Sequence, residues 1–243
     1  AKKGNLVPVF KEIYGDLETP VSAYMKLAAR SRYSFLLESV EGGEKLARYS
    51  FLGIDPELVL KVKGRDARVL RFSKGRVVAQ AQAFERTPLE LVRALVGHYD
   101  LVKIPGLPQV CGGLFGYFSY DTVRYFEKLP DTKPDELDLP DVVLMLVKDM
   151  VIFDHLHHTI KVVSCVDVEK KETSSALRGK YRAATARIDR VIKRLSRPLK
   201  QPRAAKAGAF KMKVRSNCTR KAYENMVSLA MEEIRAGEIS QVV

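Results

Sequence analysis

The sequence predicts an α+β fold, built from mixed antiparallel sheets with packed helices. Short apolar runs separated by turn residues recur in residues 33–73 and 141–166, which is typical of antiparallel strands. Elsewhere, apolar residues recur at spacings of three and four, which is typical of helices. The chain of 243 residues is 46% hydrophobic and 29% charged, so it is long enough and apolar enough to bury a core.

The first part of the chain begins with an extended piece, followed by a helix from about Pro20 to Ala29. Proline at a first helical position after Thr19 is a helix start signal. A strand is predicted in "YSFLLESV" (33–40), and antiparallel strands follow in "ARYSFLGI", "ELVLKVKG" and "ARVLRFS". Helical spacing returns in "PLELVRALVGHY", and "DVVLMLVKDMVIFDHLHHTIKVVSCV" is predicted to form two or three strands around short turns.

A long helix is predicted in "SSALRGKYRAATARIDRVIKRL", because six apolar residues share one face. These residues are Leu177, Tyr181, Ala184, Ile188, Val191 and Leu195. The next stretch, "RPLKQPRAAKAGAFK", has no apolar period and indicates a linker. After it come a second helix with a stop at Gly237 and a strand in "EISQVV". We therefore predict an amino-terminal domain in residues 1–197, a basic linker in 198–215 and the start of a second domain in 216–243.

The net charge of +13 is concentrated in one region. Residues 178–215 contain 14 Lys and Arg against the single acid Asp189, so the remainder of the chain is neutral. A nucleic-acid partner is one interpretation of such a region. The region lacks a nucleic-acid-binding motif, and the helix carries an apolar stripe that packs on protein. A solvated basic face is the preferred interpretation, and no nucleic acid is expected as a partner.

The compartment is inferred from the cysteines and from the absence of targeting signals. Cys111, Cys165 and Cys218 are odd in number and far apart, which argues against a disulfide framework or a zinc finger. The chain shows no apolar run of the roughly 18–20 residues that a membrane span needs. No secretory h-region follows the start "AKKGNLVPVF". A reducing compartment, the cytoplasm by default, and no membrane are expected.

Two local patterns were candidates for chemistry. In "FDHLHH", strand alternation sends His155 and His157 to one face and His158 to the other, so we interpret the cluster as solvated turn residues rather than a metal site. The glycines of "GGLFGYFSYD" permit close backbone approach, but this stretch lacks the pattern of a nucleotide-binding loop. We interpret it as a packing element. The residues taken alone indicate no particular reaction.

Several stretches, in order, resemble the anthranilate synthase component I family of chorismate-utilising enzymes. They are "GNLVPVFKEIYGDLETPVSAYMKL", "YSFLLESVEGGEKLARYSFLGIDP", "GGLFGYFSYDTVRYFEKLPD", "DLPDVVLMLVKDMVIFDH" and "SNCTRKAYENMVSLAMEEIRAGEISQVV". The resemblance implies the chorismate-binding fold, here incomplete. It also implies a lyase that converts chorismate and ammonia to anthranilate and pyruvate in tryptophan biosynthesis. A magnesium ion and a glutamine amidotransferase subunit are implied as cofactor and partner.

Family members are about twice as long as this chain, and most of their catalytic residues, including the magnesium ligands, lie in the second half. The chain therefore resembles a fragment that ends where the catalytic domain begins. We expect it to be inactive by itself. The "QVV" ending corresponds in the family to a strand that continues into the active site.

The resemblance also implies two functional places. The stretch "LLES" helps to bind the feedback inhibitor tryptophan in the family, which assigns Leu37, Glu38 and Ser39 to a regulatory site. Glu38 suits an α-ammonium group and Ser39 offers a hydroxyl. Tyr49, in "RYS", aligns with a contact residue of the same pocket.

The second place is Gln241, which lines the active site in this family. Relatives that add water to chorismate have a lysine there as general base. A neutral amide cannot deprotonate water, so glutamine suits ammonia as the nucleophile.

Two alternatives stay open at this stage. The related component I of aminodeoxychorismate synthase shares much of the pattern, although the opening "GNLVPVF" and "DLETPVSAY" resembles the anthranilate enzyme more. A stand-alone amino-acid-binding regulatory module would use the same "LLES" residues without any enzyme.

Overall fold

The computed structural model describes residues 4–29, 31–38, 48–73, 76–132, 134–199 and 214–242. The chain divides into two compact units, Ala1–Lys200 and Gln201–Val243. The strands are β1 (Leu6–Tyr14), β2 (Ser34–Leu37), β3 (Tyr49–Ile54), β4 (Leu58–Lys63), β5 (Asp66–Ser73), β6 (Arg76–Gln82), β7 (Gly113–Phe118), β8 (Val142–Val147), β9 (Asp149–Asp154) and β10 (Thr159–Asp167). The helices are α1 (Pro20–Ala28), α2 (Leu89–Val96), α3 (Ser174–Leu195), α4 (Arg220–Ala236) and a 3-10 helix (Tyr120–Tyr125).

The first unit contains two antiparallel sheets of five strands each. The first sheet has the strand order β1-β10-β9-β3-β2, and the second has the order β6-β5-β4-β8-β7. The chain enters the second sheet between β3 and β4 and returns between β8 and β9. Because β1 pairs with β10 along its whole length, the first and the last strand of this unit lie side by side.

The two sheets pack face to face through an apolar core. Met150, Ile152 and Val163 of the first sheet lie in one cluster with Val59 and Val147 of the second. On its other face, the first sheet is covered by helices, as the contact of Leu27 and Ile188 with Leu52 shows. Burial on both faces explains the nearly continuous apolar sequence of β9 and β10, since neither face needs polar side chains.

The predicted start of the first helix is confirmed. Thr19 Oγ1 accepts a hydrogen bond from the backbone N–H of Ser22, and Ser22 Oγ accepts one from the N–H of Thr19, which forms a capping box after which Pro20 begins the helix. The apolar stripe of α3 is confirmed in Ala184, Ile188 and Leu195, which are buried against the first sheet. Tyr181, which we placed on that stripe, is 58% exposed.

One strand was missed and one strand prediction was wrong. β6 was not predicted, because its residues VVAQAQ carry a weak apolar signal; at the end of the second sheet it pairs with β5 alone. The strand predicted after Gly237 is absent from residues 238–242. A strand needs a hydrogen-bonded neighbour, and no described strand pairs with these residues.

The second unit is described through α4 and the residues around it. Thr219 caps this helix by accepting a hydrogen bond from the N–H of Ala222, and Gly237 ends it in the left-handed conformation, with φ of 81°. Both ends match the start and stop signals in the sequence. In the described ranges, none of the helices combines the length and the apolar character that crossing a bilayer requires.

Candidate functional site

The residues assigned to the regulatory site lie where β2 ends and β3 begins. Leu37 is the last residue of β2 and pairs with Phe51 of β3, two residues after Tyr49. Glu38 follows the strand and is exposed. Ser39 lies outside the described residues. The structure therefore places Leu37 and Tyr49 on neighbouring strands, and Glu38 follows Leu37 in the chain.

Strand alternation decides which face these side chains use. Leu36 packs with Leu52 in the core beneath the helices, so Leu37 and Tyr49 project from the opposite face of the first sheet. Phe51 lies on that same face, and its ring centroid is 6.0 Å from that of Tyr49. Leu37 is 52% exposed and Tyr49 is half-buried. The result is a partly open apolar and aromatic surface at the end of the sheet.

A buried carboxylate lies beside this surface. Asp154 pairs directly with Tyr49 across β9 and β3, and its side chain is 1% exposed. Arg48 donates to both carboxylate oxygens at 3.1 and 2.9 Å. Nδ1 of His157 lies 3.1 Å from the carboxylate, and Nζ of Lys161 lies 3.4 Å from it. Two cations and a histidine therefore surround one buried anion at the start of β3.

Burial and hydrogen bonding act in opposite directions on the pKa of Asp154. Burial raises the pKa of Asp154, but hydrogen bonds from Arg48 and His157 outweigh burial and hold that pKa well below its usual value. The guanidinium of Arg48 also lies over the ring of Tyr49, 4.8 Å from its centroid. Arg48 thus connects the buried carboxylate to the aromatic residue of the candidate site.

Our interpretation of "FDHLHH" as solvated turn residues was wrong for Asp154, which is the buried last residue of β9. His155 lies in the turn and is exposed, although its Nε2 is 2.7 Å from the hydroxyl of the buried Ser50. The sequence does not reveal these contacts, because Arg48 and Ser50 lie more than 100 positions earlier in the chain. His157 is 60% exposed, as expected for a turn. Among the described residues, no group of three or more His, Cys, Asp or Glu side chains is placed to hold a metal ion.

The glycine-rich stretch forms β7, and its close backbone approach is confirmed at Gly116. A Cβ atom at this position would lie 1.8 Å from the carbonyl oxygen of Val143 on β8. The neighbouring Phe115 stacks on Phe35 of β2, with ring centroids 4.4 Å apart. Through this contact β7 supports the strand that ends at Leu37.

A cavity that the sequence did not predict lies elsewhere on the first unit. Its volume is about 710 Å³, and Lys63, Arg124, Tyr125 and Asp141 are among its lining residues. Burial, together with a hydrogen bond to Asp141, raises the pKa of Tyr125. Lys63 and Arg124 are already paired with Asp135 and Asp121.

Gln241 belongs to the second unit, where it is exposed and follows the turn after α4. The residues predicted for regulation and the residue predicted for the active site thus fall in different units. The assignments of Leu37, Glu38, Ser39, Tyr49 and Gln241 stay predictions, as do the domain limits.

Residues 33–243 match the protein family described as chorismate binding enzyme, which is most of the chain. The chain belongs to the chorismate-binding enzyme family. It is 35% identical over 252 residues to anthranilate synthase component 1 of Synechocystis sp., with 100% of this chain and 48% of that protein covered. It is 37% identical over 243 residues to the protein of the same name from Cereibacter sphaeroides, again with 100% and 48% covered. The chain thus spans about half the length of the curated relatives it matches.

The family assignment and the predicted α+β fold are both confirmed. The crystal structure of anthranilate synthase component I from Streptococcus pneumoniae TIGR4 superposes with a TM-score of 0.50 at 21% identity. The match covers 93% of this chain and 45% of that one. At this identity the likeness speaks for the fold alone, and it agrees with the two antiparallel sheets and their helices.

Proposed function

We propose that this chain is part of an anthranilate synthase component I, a lyase of tryptophan biosynthesis. The observation that carries the proposal is that proteins named anthranilate synthase component 1 align with the whole chain at 35–37% identity. In the proposed reaction, ammonia adds to the ring of chorismate and the ring hydroxyl leaves as water. Pyruvate is then eliminated, which leaves the aromatic anthranilate.

Gln241 is the residue of this chain that we assign to the active site. Its amide can donate and accept hydrogen bonds but has no basic lone pair at neutral pH, so it can line the pocket without activating water. This chemistry supports ammonia as the nucleophile over water. The ammonia would come from a glutamine amidotransferase subunit, which we propose as the partner. The three free cysteines support the cytoplasm as the compartment.

The described residues do not fit the magnesium ion that the resemblance implies, because they bring no three potential ligands together. Magnesium takes carboxylate oxygens in near-octahedral geometry. We assign its ligands to the portion of the relatives that this chain does not span.

The amino-terminal unit would provide feedback regulation by tryptophan. The surface formed by Leu37, Tyr49 and Phe51 supports this role, since an indole ring can pack on partly open apolar and aromatic side chains. Glu38 would pair with the α-ammonium group, and Ser39 would add a hydrogen bond.

The proposed reaction is tested with the complete product of the natural gene beside the purified chain of 243 residues. Given chorismate, magnesium and ammonium, the complete product should form fluorescent anthranilate and release pyruvate, whereas the chain alone should form none. Conversion of chorismate without pyruvate release would indicate aminodeoxychorismate synthesis instead. A complete gene product with a mass near 27.3 kDa and no turnover would overturn the proposal in favour of a stand-alone binding module.

The regulatory site is tested by calorimetric titration of the complete gene product with tryptophan. Tyr49→Ala should weaken tryptophan binding by about tenfold, equivalent to about 1.4 kcal/mol, because an aromatic contact is removed. Tyr14→Ala is the matched control, since Tyr14 is 86% exposed on β1 and should leave the affinity unchanged. Equal affinity in both variants would contradict the assignment of Tyr49. A saturable response of the 243-residue chain alone would instead favour the stand-alone module.

A further inference from the structure

Two cysteine side chains meet in the core between the two sheets of the first unit. Cys111 lies just before β7 of the second sheet, and Cys165 lies in β10 of the first. Their residues are 2% and 1% exposed, and both belong to the same apolar cluster. Sγ of Cys165 is 3.3 Å from the carbonyl oxygen of Cys111, although the residues are 54 positions apart in the chain.

The local backbone explains why the thiols come together. Along β10, Cys165 alternates with Ser164 and shares the face of Val163, which points to the second sheet. Gly112 follows Cys111, and a Cβ atom there would lie 3.0 Å from Sγ of Cys165. Glycine at this position therefore leaves room for the thiol of Cys165 against the segment that carries Cys111.

A charged cavity reaches one member of this pair, Cys165. Cys165 is one of the lining residues of a cavity of about 310 Å³, together with Lys148, Asp149, Asp167 and Arg187. This volume accommodates a small oxidant. The proposed synthase chemistry makes no use of the cavity or of either cysteine.

The two thiols also affect each other's ionisation. Their side-chain hydrogen bond lowers the pKa of Cys111, against the effect of burial, and raises the pKa of Cys165. Because the thiolate is the nucleophile in cysteine oxidation, one sulfur of the pair reacts with an oxidant and the other then attacks the oxidised sulfur.

We propose that Cys111 and Cys165 form a redox-sensitive pair that a small hydroperoxide converts to a disulfide between the two sheets. The thiolate of one cysteine attacks the terminal peroxide oxygen, the O–O bond breaks, and an alcohol or water leaves after taking up a proton. The sulfur of the other cysteine then attacks the resulting sulfenic acid, which forms the S–S bond and releases the hydroxyl group and the thiol proton as water. Two thiols are oxidised, and one peroxide is reduced.

The disulfide would change the first unit mainly by restricting its unfolded chain. A crosslink between positions 54 residues apart removes much of the conformational freedom of the unfolded state. It would also fix the segment before β7 to β10. Oxidation should therefore raise the melting temperature of the first unit by several degrees, and a reductant should return it to the original value.

The experiment exposes the folded 243-residue chain to hydrogen peroxide under native conditions and maps disulfides by peptide mass spectrometry. The expected product is a Cys111–Cys165 crosslink, with a loss of about 2 Da from the intact mass and no oxygen added. Cys218→Ser is the control variant and should oxidise as the parent does. Cys165→Ser should show no mass loss, because the crosslink needs both sulfurs.

Three results would overturn the proposal. They are oxidation confined to Cys218, irreversible oxidation of Cys111 or Cys165 without a crosslink, and a crosslink that appears only when urea unfolds the chain. The mapping of the parent chain decides between them even if the serine variants fail to fold. None of these outcomes depends on anthranilate formation, so the pair is tested independently of the proposed reaction.

Discussion

Gly116→Ala should destabilise the first unit by about 3 kcal/mol or more, because the packing around position 116 has no room for one added methyl group. The added methyl group would lie 1.8 Å from the carbonyl oxygen of Val143 and 2.8 Å from its carbonyl carbon. Both neighbours are backbone atoms of β8, so no side chain can rotate away. Relief requires β7 to move away from β8, which lengthens the ladder hydrogen bonds between these strands.

The measurement is urea unfolding of the 243-residue chain, followed by circular dichroism. Gly113→Ala is the matched control, because Gly113 also lies in β7 and has a positive φ of 139°, but nothing lies within 4 Å of its Cβ position. This control isolates the backbone strain, about 1–2 kcal/mol, from the clash. Equal losses in the two variants would show that the approach to Val143 is not what requires glycine at position 116.

The consequence of this close approach extends to the candidate regulatory site. Gly116 fixes the distance between β7 and β8, and the adjacent Phe115 stacks on Phe35. Phe35 pairs with Gly53, and an added Cβ there would clash with the Phe35 ring at 2.3 Å. Gly53 on the first sheet and Gly116 on the second thus leave room for the stack of Phe35 on Phe115. That stack holds the strand that ends at Leu37, which faces the same way as Tyr49.

The helices were predictable from sequence because their signals are local. Thr19 and Pro20 mark the start of α1 within two residues, and Gly237 marks the end of α4 by a conformation that favours glycine. The short turns in residues 141–166 likewise predicted two or three strands there, and the structure has three. Local signals of this kind do not specify which strands pair. The strand order β1-β10-β9-β3-β2 could therefore not be predicted from the sequence.

The candidate site was predictable only in part, for the same reason. Leu37 and Tyr49 were singled out by a resemblance, and the register of β2 with β3 then put them on one face. The buried state of Asp154 depends on Arg48 and Lys161, which lie on other strands. A carboxylate next to three histidines indicated a solvated turn, because its cationic partners are distant in sequence.

Asp154→Asn should destabilise the first unit by about 3 kcal/mol at neutral pH. The substitution keeps the shape of the side chain but removes the negative charge that faces Arg48 and the buried Lys161. Two cations would then remain close together, and in the part of the chain that the structure describes the exposed Glu12 is the other acid paired with Lys161. Urea unfolding measures the loss, and Asp135→Asn is the control, because its pair with Lys63 is at the surface and should contribute little to stability.

The same variant should change how stability depends on pH. Hydrogen bonds from Arg48 and His157 overcome burial and hold the folded-state pKa of Asp154 below the value of about 3.9 expected in the unfolded chain. A depressed pKa contributes stability that is fully present above the unfolded value and is lost as the pH falls toward the folded one. The difference in unfolding free energy between parent and Asp154→Asn should therefore stay constant from about pH 7 to 5 and shrink below about pH 4. A difference that remains unchanged down to about pH 2.5 would mean that the Asp154 carboxylate is not the charge on which the cluster depends. The start of β3, with Arg48 stacked on Tyr49, would then owe its position to the packing of Tyr49 and Phe51 instead.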